Sequence, residues 1–208
     1  MKMTITDIGH NEAIDPRFAF GVQDENTHLR LSDNRNPEIR WRDVPVGTKS
    51  LALLCVDQSA PSKPDGVNKE GQEIPADLPR VDFFHWVMVD IPPDCDGFAE
   101  GGCSDGITPR GKKDPPGPAG SRQGLNDYTG WFSGDPDMAG QYFGYDGPCP
   151  PWNDTIPHCY HFTLYATDLE RCPVDGTFTG PEVVAALQGH VISEVRITGV
   201  YSTNPDII

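Results

Sequence analysis

The chain has little positive charge, few helix signals and no long apolar run, and each shortage excludes something. Its 16 Lys and Arg stand against 31 Asp and Glu, a formal net charge of −15. No dense Lys/Arg cluster interrupts that field, so a nucleic-acid partner is excluded by long-range repulsion of the phosphate backbone. The same balance opposes docking on an anionic membrane surface, and no stretch approaches the roughly 20 apolar residues of a transmembrane helix. Residues 1–7 carry no apolar segment of signal-peptide type, because Asp7, His10, Asn11 and Glu12 break it at once, and a cytoplasmic location is the expectation. The six cysteines, Cys55, Cys95, Cys103, Cys149, Cys159 and Cys172, include no CxxC pair. That removes zinc-finger and thioredoxin patterns and leaves free thiols as the expected state. For an exported chain, the even count permits three disulfides, and Asn153-Asp154-Thr155 then also reads as a glycosylation acceptor. No internal repeat or sustained heptad occurs.

What is abundant is loop chemistry: 22 Gly and 21 Pro predict a large share of ordered loop. A chain of 208 residues can bury one core, so one domain over 1–208 is expected. Residues 50–56 and 83–91 are nearly unbroken apolar runs ended by Asp or Pro, as central strands are. Residues 160–165 and 191–201 alternate, as strands with one buried face do. Shorter strands are expected at 17–22 and 38–42. One segment, 181–188, reads as a helix, with Thr179 or Gly180 to cap it, Pro181 in its first turn and Gly189 after its end. Irregular stretches are expected at 58–82, 92–145 and, shorter, 172–179, the second too long for an ordinary connection. The fold class is therefore mostly β, with long loops and one or two short peripheral helices.

Four side chains and one turn stand out chemically. Asp57 follows directly on the apolar run 51–56, where a strand leaves the core; a ligand residue and an Asx-turn cap explain it equally well. His85 lies between hydrophobic neighbours, and a buried imidazole has to pair both nitrogens. By parity it shares a face with Val87 and Val89. The turn Gly147-Pro148-Cys149-Pro150-Pro151 is stiff, with Gly147 offering close approach and the Cys149 N–H a place in an anion nest. His158 and Tyr160, two residues apart on a strand, point to one side. If these groups converge, Asp57 orients one imidazole while the other ring and the phenol meet an anion.

The sequence resembles the phosphatidylethanolamine-binding protein family, in particular its bacterial Raf-kinase-inhibitor-like branch. The matching pieces, in family order, are Val44-Pro45-Val46-Gly47-Thr48-Lys49-Ser50-Leu51, Asp57 with Ala60-Pro61-Ser62, His85-Trp86-Val87, Gly147-Pro148-Cys149-Pro150-Pro151, and His158-Cys159-Tyr160-His161-Phe162. The resemblance implies a β-sandwich with Greek-key connections. It also implies an anion pocket at Asp57, His85, Gly147, Pro148, His158 and Tyr160, and no cofactor or metal. A small anionic or phosphate-bearing ligand follows from it, as do a regulatory role through a kinase or protease partner and a homodimer as in bacterial relatives. Ser59 stands where the family's first motif has a second Asp, and Cys159 where a basic residue is usual. Loop insertions fall near 63–82, 112–121 and 131–141, and their aromatic residues either widen the pocket or pin the loops. The alternative is an enzyme using Asp57 and a histidine as an acid–base pair for hydrolysis or isomerisation. It lacks a nucleophile-elbow serine.

Overall fold

The two apolar runs become the longest strands in a computed structural model that describes residues 1–207. Strand β6 (Ser50–Pro61) pairs antiparallel with β7 (Arg80–Ile91) on one side and with β10 (His158–Thr167) on the other. β11 (Val191–Tyr201) pairs antiparallel with β10, and β2 (Glu12–Ala13) and β9 (Arg122–Gln123) close the edges of this six-stranded sheet. A three-stranded sheet of β1 (Lys2–Ile5), β5 (Ile39–Arg42) and β8 (Gly97–Phe98) and a hairpin of β3 (Gly21–Asp24) and β4 (His28–Leu31) complete the mostly β architecture.

Both faces of β6 are covered, which is why its sequence shows no polar alternation. Leu51, Leu53 and Cys55 pack with Phe162, Leu164, Ile39 and Trp41 in the core between the two sheets. Ala52 and Leu54 face the other way and meet Val87, Val89, Phe178, Val183 and Leu187. Fully burying one such Leu or Phe is worth about 1.5–3 kcal/mol, so the two faces together hold the central strands in register. Helix α2 (Gly180–Ala186) covers the second face and starts with a capping box in which Thr179 and Glu182 exchange hydrogen bonds.

Three expectations change. Residues 17–22 are not one strand: Pro16–Phe18 forms a 3-10 turn in which the Asp15 carboxylate accepts the Arg17 N–H, and β3 begins only at Gly21. Pro16, with its fixed φ, and the Asp cap favour that turn over an extended start. Much of the stretch 58–82 is strand at its ends, because β6 runs on to Pro61 and β7 begins at Arg80. The long stretch 92–145 carries β8, β9 and a second short helix, α1 (Tyr128–Trp131).

Candidate functional site

The register between β6 and β7 slips at Cys55 and Val56: Cys55 lies opposite Trp86 while Val56 lies opposite Phe84, leaving His85 as the extra residue of a β-bulge. The bulge overturns the parity expectation for this histidine. Val87 and Val89 face α2, but His85 stands on the opposite side. There its ring meets Tyr160 edge-on at 5.1 Å, Tyr128 at 5.5 Å and Phe83 at 4.9 Å between centroids. Strict alternation cannot foresee this, since one extra residue reverses every face after it.

On β10 the period of two holds. His158 and Tyr160 lie on the inner face, and Tyr160 is paired in register with Asp57 of β6. Both nitrogens of the buried His158 ring are engaged by carboxylates: Nδ1 lies 2.7 Å from Asp57 Oδ2 and Nε2 lies 3.1 Å from Asp154 Oδ2. Asp154 in turn receives both terminal nitrogens of Arg80, at 2.5 and 3.0 Å, the two-pronged geometry that guanidinium and carboxylate share. The second oxygen of Asp57 accepts the Ser59 N–H at 2.7 Å. Burial works against a charge on His158, but its hydrogen bonds to Asp154 and Asp57 outweigh that cost and raise its pKa to about 9. Burial likewise opposes the charge on Asp154, and the bonds from His158 and Arg80 still hold it below the ordinary carboxylate value. The result is a buried row of alternating charges, Asp57, His158, Asp154 and Arg80, that ties β6, β7 and β10 together.

A second buried acidic residue, Asp146, fixes His85 through its backbone carbonyl. Asp146 accepts hydrogen bonds from Asn34 at 2.7 Å, Lys112 at 2.6 Å and Asn126 at 2.8 Å. Its backbone carbonyl accepts from His85 Nδ1 at 2.8 Å. Burial pushes the His85 pKa down, against the pull of Asp57, so the ring is neutral at neutral pH with its proton on Nδ1.

Above these groups lies a cavity of about 650 Å³, within the range of small-molecule sites. Asp57, His85, His158 and Tyr160 are its polar end. Its walls are mostly apolar: Phe20, Leu29, Val67, Phe83, Trp131 and Phe132 among them, with Arg30 and Lys63 as the cationic exceptions. Val67, Lys63 and Trp131 come from the regions expected to be insertions, so the loops near 63–82 and 131–141 do build wall. The other aromatics anchor: Tyr142 is fully buried and Trp152 stacks on His28 at 4.0 Å. Tyr160 is wholly buried, and its hydroxyl has no hydrogen-bond partner among the described residues.

Of the six residues expected at the pocket, four line the cavity and two stand behind it. Gly147 does not open space for a ligand. A Cβ there would strike the Phe18 carbonyl oxygen and crowd the Tyr145 hydroxyl, and its N–H and C=O are bonded to Asn34 and to the Tyr128 hydroxyl, both at 2.8 Å. The Pro148 carbonyl accepts from the N–H groups of Phe20 and Gly21, at 2.8 and 3.1 Å. The turn therefore holds the cavity wall, and Cys149 to Pro151 are the part that faces inward. Sequence reading misses Arg80, Asp146 and Asp154. Asn153-Asp154-Thr155 is a buried turn, with Asn153 Nδ2 donating to Gly66 and Gln72 carbonyls at 2.7 and 2.8 Å. The one sequence signal for Asp154 is its place four residues before His158. No cysteine is bonded to another. No group of three or more metal-ligating side chains converges among the described residues, and no described helix is long and apolar enough to cross a membrane.

Comparison with known proteins places this geometry. The sequence profile described as phosphatidylethanolamine-binding protein matches residues 4–202. A UPF0098 protein of Methanothermobacter thermautotrophicus is 34% identical over 169 residues, covering 81% of this chain and 83% of the relative. The UPF0098 protein YbhB of Escherichia coli is 28% identical over 202 residues, 97% of this chain and 100% of its own. The crystal structure of E. coli YbcL, described as a new member of the mammalian PEBP family, superposes with a TM-score of 0.69 at 27% identity, covering 97% of each chain.

Proposed function

The chain belongs to the phosphatidylethanolamine-binding protein family, and from that premise we propose that its cavity binds a small phosphate-bearing or similar anionic ligand with an apolar portion. The observation that carries this reading is the buried Tyr160 hydroxyl, left without a partner among the described residues at the polar end of an otherwise apolar cavity. An unpaired buried hydroxyl costs free energy, so a site that retains one is prepared for a ligand acceptor. Arg30 and Lys63 supply positive charge at the cavity, while the aromatic and aliphatic walls suit the ligand's apolar part. Of the two imidazoles, His158 is the one that Asp57 orients. Both its nitrogens are spent on carboxylates, so it braces the floor while Tyr160 and His85 meet the ligand.

The acid–base alternative draws less support: the histidine that Asp57 binds is His158, whose second nitrogen is spent on Asp154, while His85, whose Nε2 is free among the described residues, is bonded to a backbone carbonyl and not to Asp57. Regulation of a kinase or protease is the second half of the proposal, with ligand occupancy altering the face around the cavity. The test is nuclear magnetic resonance in phosphate-free buffer. Adding phenyl phosphate is expected to shift the His85 ring and Tyr160 resonances, with smaller changes at His158. Unmoved His85 and Tyr160 resonances at millimolar ligand defeat the reading.

A further inference from the structure

Four side chains form the cavity's polar end, and the fold keeps all four out of reach. Tyr160 is 0% exposed, His158 1%, and Asp57 and His85 3% each. A ligand that reaches the Tyr160 hydroxyl therefore has to part the walls above it. Most of those walls are fixed. Strands β6, β7 and β10 are packed on both faces, and the turn at Gly147 is bonded on both its N–H and its C=O. The β3–β4 hairpin is a backbone ladder fastened at Gly21 to the Pro148 carbonyl and the Tyr201 hydroxyl. Phe132, just after α1, stacks into an aromatic cluster with Phe20, Tyr128 and Tyr142.

One wall is held differently. The segment 63–72 reaches the cavity with Lys63, Pro64, Val67 and Asn68, yet no side chain of 62–73 joins the buried apolar clusters of the described residues. Three internal turns make it one body: Val67 N–H to the Pro64 carbonyl at 3.1 Å, Lys69 N–H to Gly66 at 3.3 Å and Gln72 N–H to Lys69 at 3.2 Å. Its ends are pinned, since the Ser62 N–H donates to the Pro79 carbonyl at 3.0 Å and the buried Ile74 is bonded to Asn153 and Thr155. Between those ends most ties go to one buried side chain, the amide of Asn153. Its Nδ2 donates to the carbonyls of Gly66 at 2.7 Å and Gln72 at 2.8 Å, with Lys69 at 3.5 Å, and its Oδ1 accepts the Asn68 N–H at 2.9 Å. The other ties are the Trp152 N–H to Asn68 Oδ1 at 3.0 Å and the exposed His28–Glu70 contact at 2.7 Å.

We propose that Asn153 is the latch of a gate: the segment 63–72 turns on Ser62 and Ile74 to admit the ligand, and the Asn153 amide sets how often it opens. This rests on the cavity as the binding site. A wall fastened by hydrogen bonds alone opens at low cost, because water replaces each partner as the bonds part; parting the aromatic wall would expose apolar surface instead. The latch itself stays in place. Its neighbour Asp154 is held by His158 and Arg80, and the Asn153 carbonyl accepts the Ile74 N–H at 2.9 Å. Only a carboxamide presents donors to carbonyls and an acceptor to an N–H from one planar group. Asn153 is thus a positioning residue, touching the wall and not the ligand.

Two measurements on the intact protein test the gate. Asn153→Asp keeps the shape of the side chain but sets an acceptor against the loop carbonyls. It is expected to speed amide hydrogen exchange over residues 64–73 by about tenfold or more, with β6 and β10 exchanging as before. Stopped-flow mixing with phenyl phosphate in phosphate-free buffer is expected to show association faster by about threefold or more. Asn68→Gly suits the left-handed backbone at this exposed position (φ 54) and removes only the Trp152 tie. It is expected to move both readouts the same way by a smaller factor, and it carries the test if Asn153→Asp does not fold. Unchanged exchange over 64–73, or exchange that rises equally throughout the chain, overturns the gate and leaves Asn153 a structural residue. An unchanged association rate overturns it as well, with the cavity reading intact. No binding of phenyl phosphate by the unaltered protein defeats the cavity reading and the gate with it.

Discussion

Asp154 and Asp57 grip His158 from opposite nitrogens, Asp154 Oδ2 at 3.1 Å from Nε2 and Asp57 Oδ2 at 2.7 Å from Nδ1. The imidazole therefore reads as a structural cation, with Arg80 supplying the second positive charge of the row. Asp154→Asn removes the carboxylate both cations share. Breaking a buried pair while leaving its partners in place costs about 3 kcal/mol or more, to be read from urea denaturation, and the His158 pKa is expected to drop from about 9 toward its ordinary value. A near-neutral effect on both measurements would remove Asp154 from the network.

The same row sets a pH dependence whose sign is fixed. The His158 pKa rises from 6.5 to about 9 on folding, so its stabilising contribution is complete below about pH 6.5 and is lost as pH climbs through about 9. The shift corresponds to on the order of 3 kcal/mol. Thermal unfolding followed from about pH 6 to about pH 9.5 is expected to show Tm falling by several degrees, and His158→Gln to flatten that slope. A Tm that rises over the interval contradicts the assignment.

How much of this was legible in the sequence depends on whether the signal was local. The runs at 50–56 and 83–91 mark central strands because burial on both faces excludes polar residues, and the alternation at 191–201 coincides with β11. The pair His158 and Tyr160 follows from a period of two, whereas Asp57 is not at a strand end as expected: β6 continues to Pro61, and Asp57 is paired on both sides within it. His85 took the wrong face because a bulge is a property of two paired strands, and one strand's sequence does not contain the register. Arg80 and Asp154 are far apart in the chain, each ordinary in its own segment, and only the fold makes them partners. The turn at Gly147 misled for a related reason: a glycine required by close approach looks the same whether the neighbour is a ligand or the Phe18 carbonyl.

That last point separates two alanine substitutions. At Gly147 an added Cβ meets backbone oxygen that has no room to retreat, and Gly147→Ala is expected to cost about 3 kcal/mol or more. Gly130, inside α1, has nothing within 4 Å of its would-be Cβ, so Gly130→Ala should be neutral or stabilising by up to about 1 kcal/mol. Paired urea melts decide it; equal effects would mean the turn yields easily.

Trp131 is large, exposed and part of the cavity wall. With 48% of its surface exposed, roughly half of the side chain is packed on the fold, so Trp131→Ala should cost about 1–2 kcal/mol, short of the loss for a fully buried Trp. If the apolar wall receives the ligand's apolar part, the same change weakens phenyl phosphate about three- to tenfold and leaves inorganic phosphate nearly unaffected. Equal losses for both probes would place Trp131 outside the binding surface.

Tyr160 gives the sharpest test, because fold and function pull its hydroxyl in opposite directions. The group is buried without a partner among the described residues, and an unsatisfied buried hydroxyl costs about 1–3 kcal/mol. Tyr160→Phe keeps the ring packing against His85 and deletes the cost, so the ligand-free protein is expected to become more stable by about 1 kcal/mol. Binding is expected to move the other way, losing about tenfold in affinity for phenyl phosphate as the one committed donor disappears. A hydroxyl with no role in binding predicts the gain in stability without the loss of affinity. A variant that is less stable when empty would show that the hydroxyl has a partner within the fold, and the reading of the cavity's polar end would fail with it.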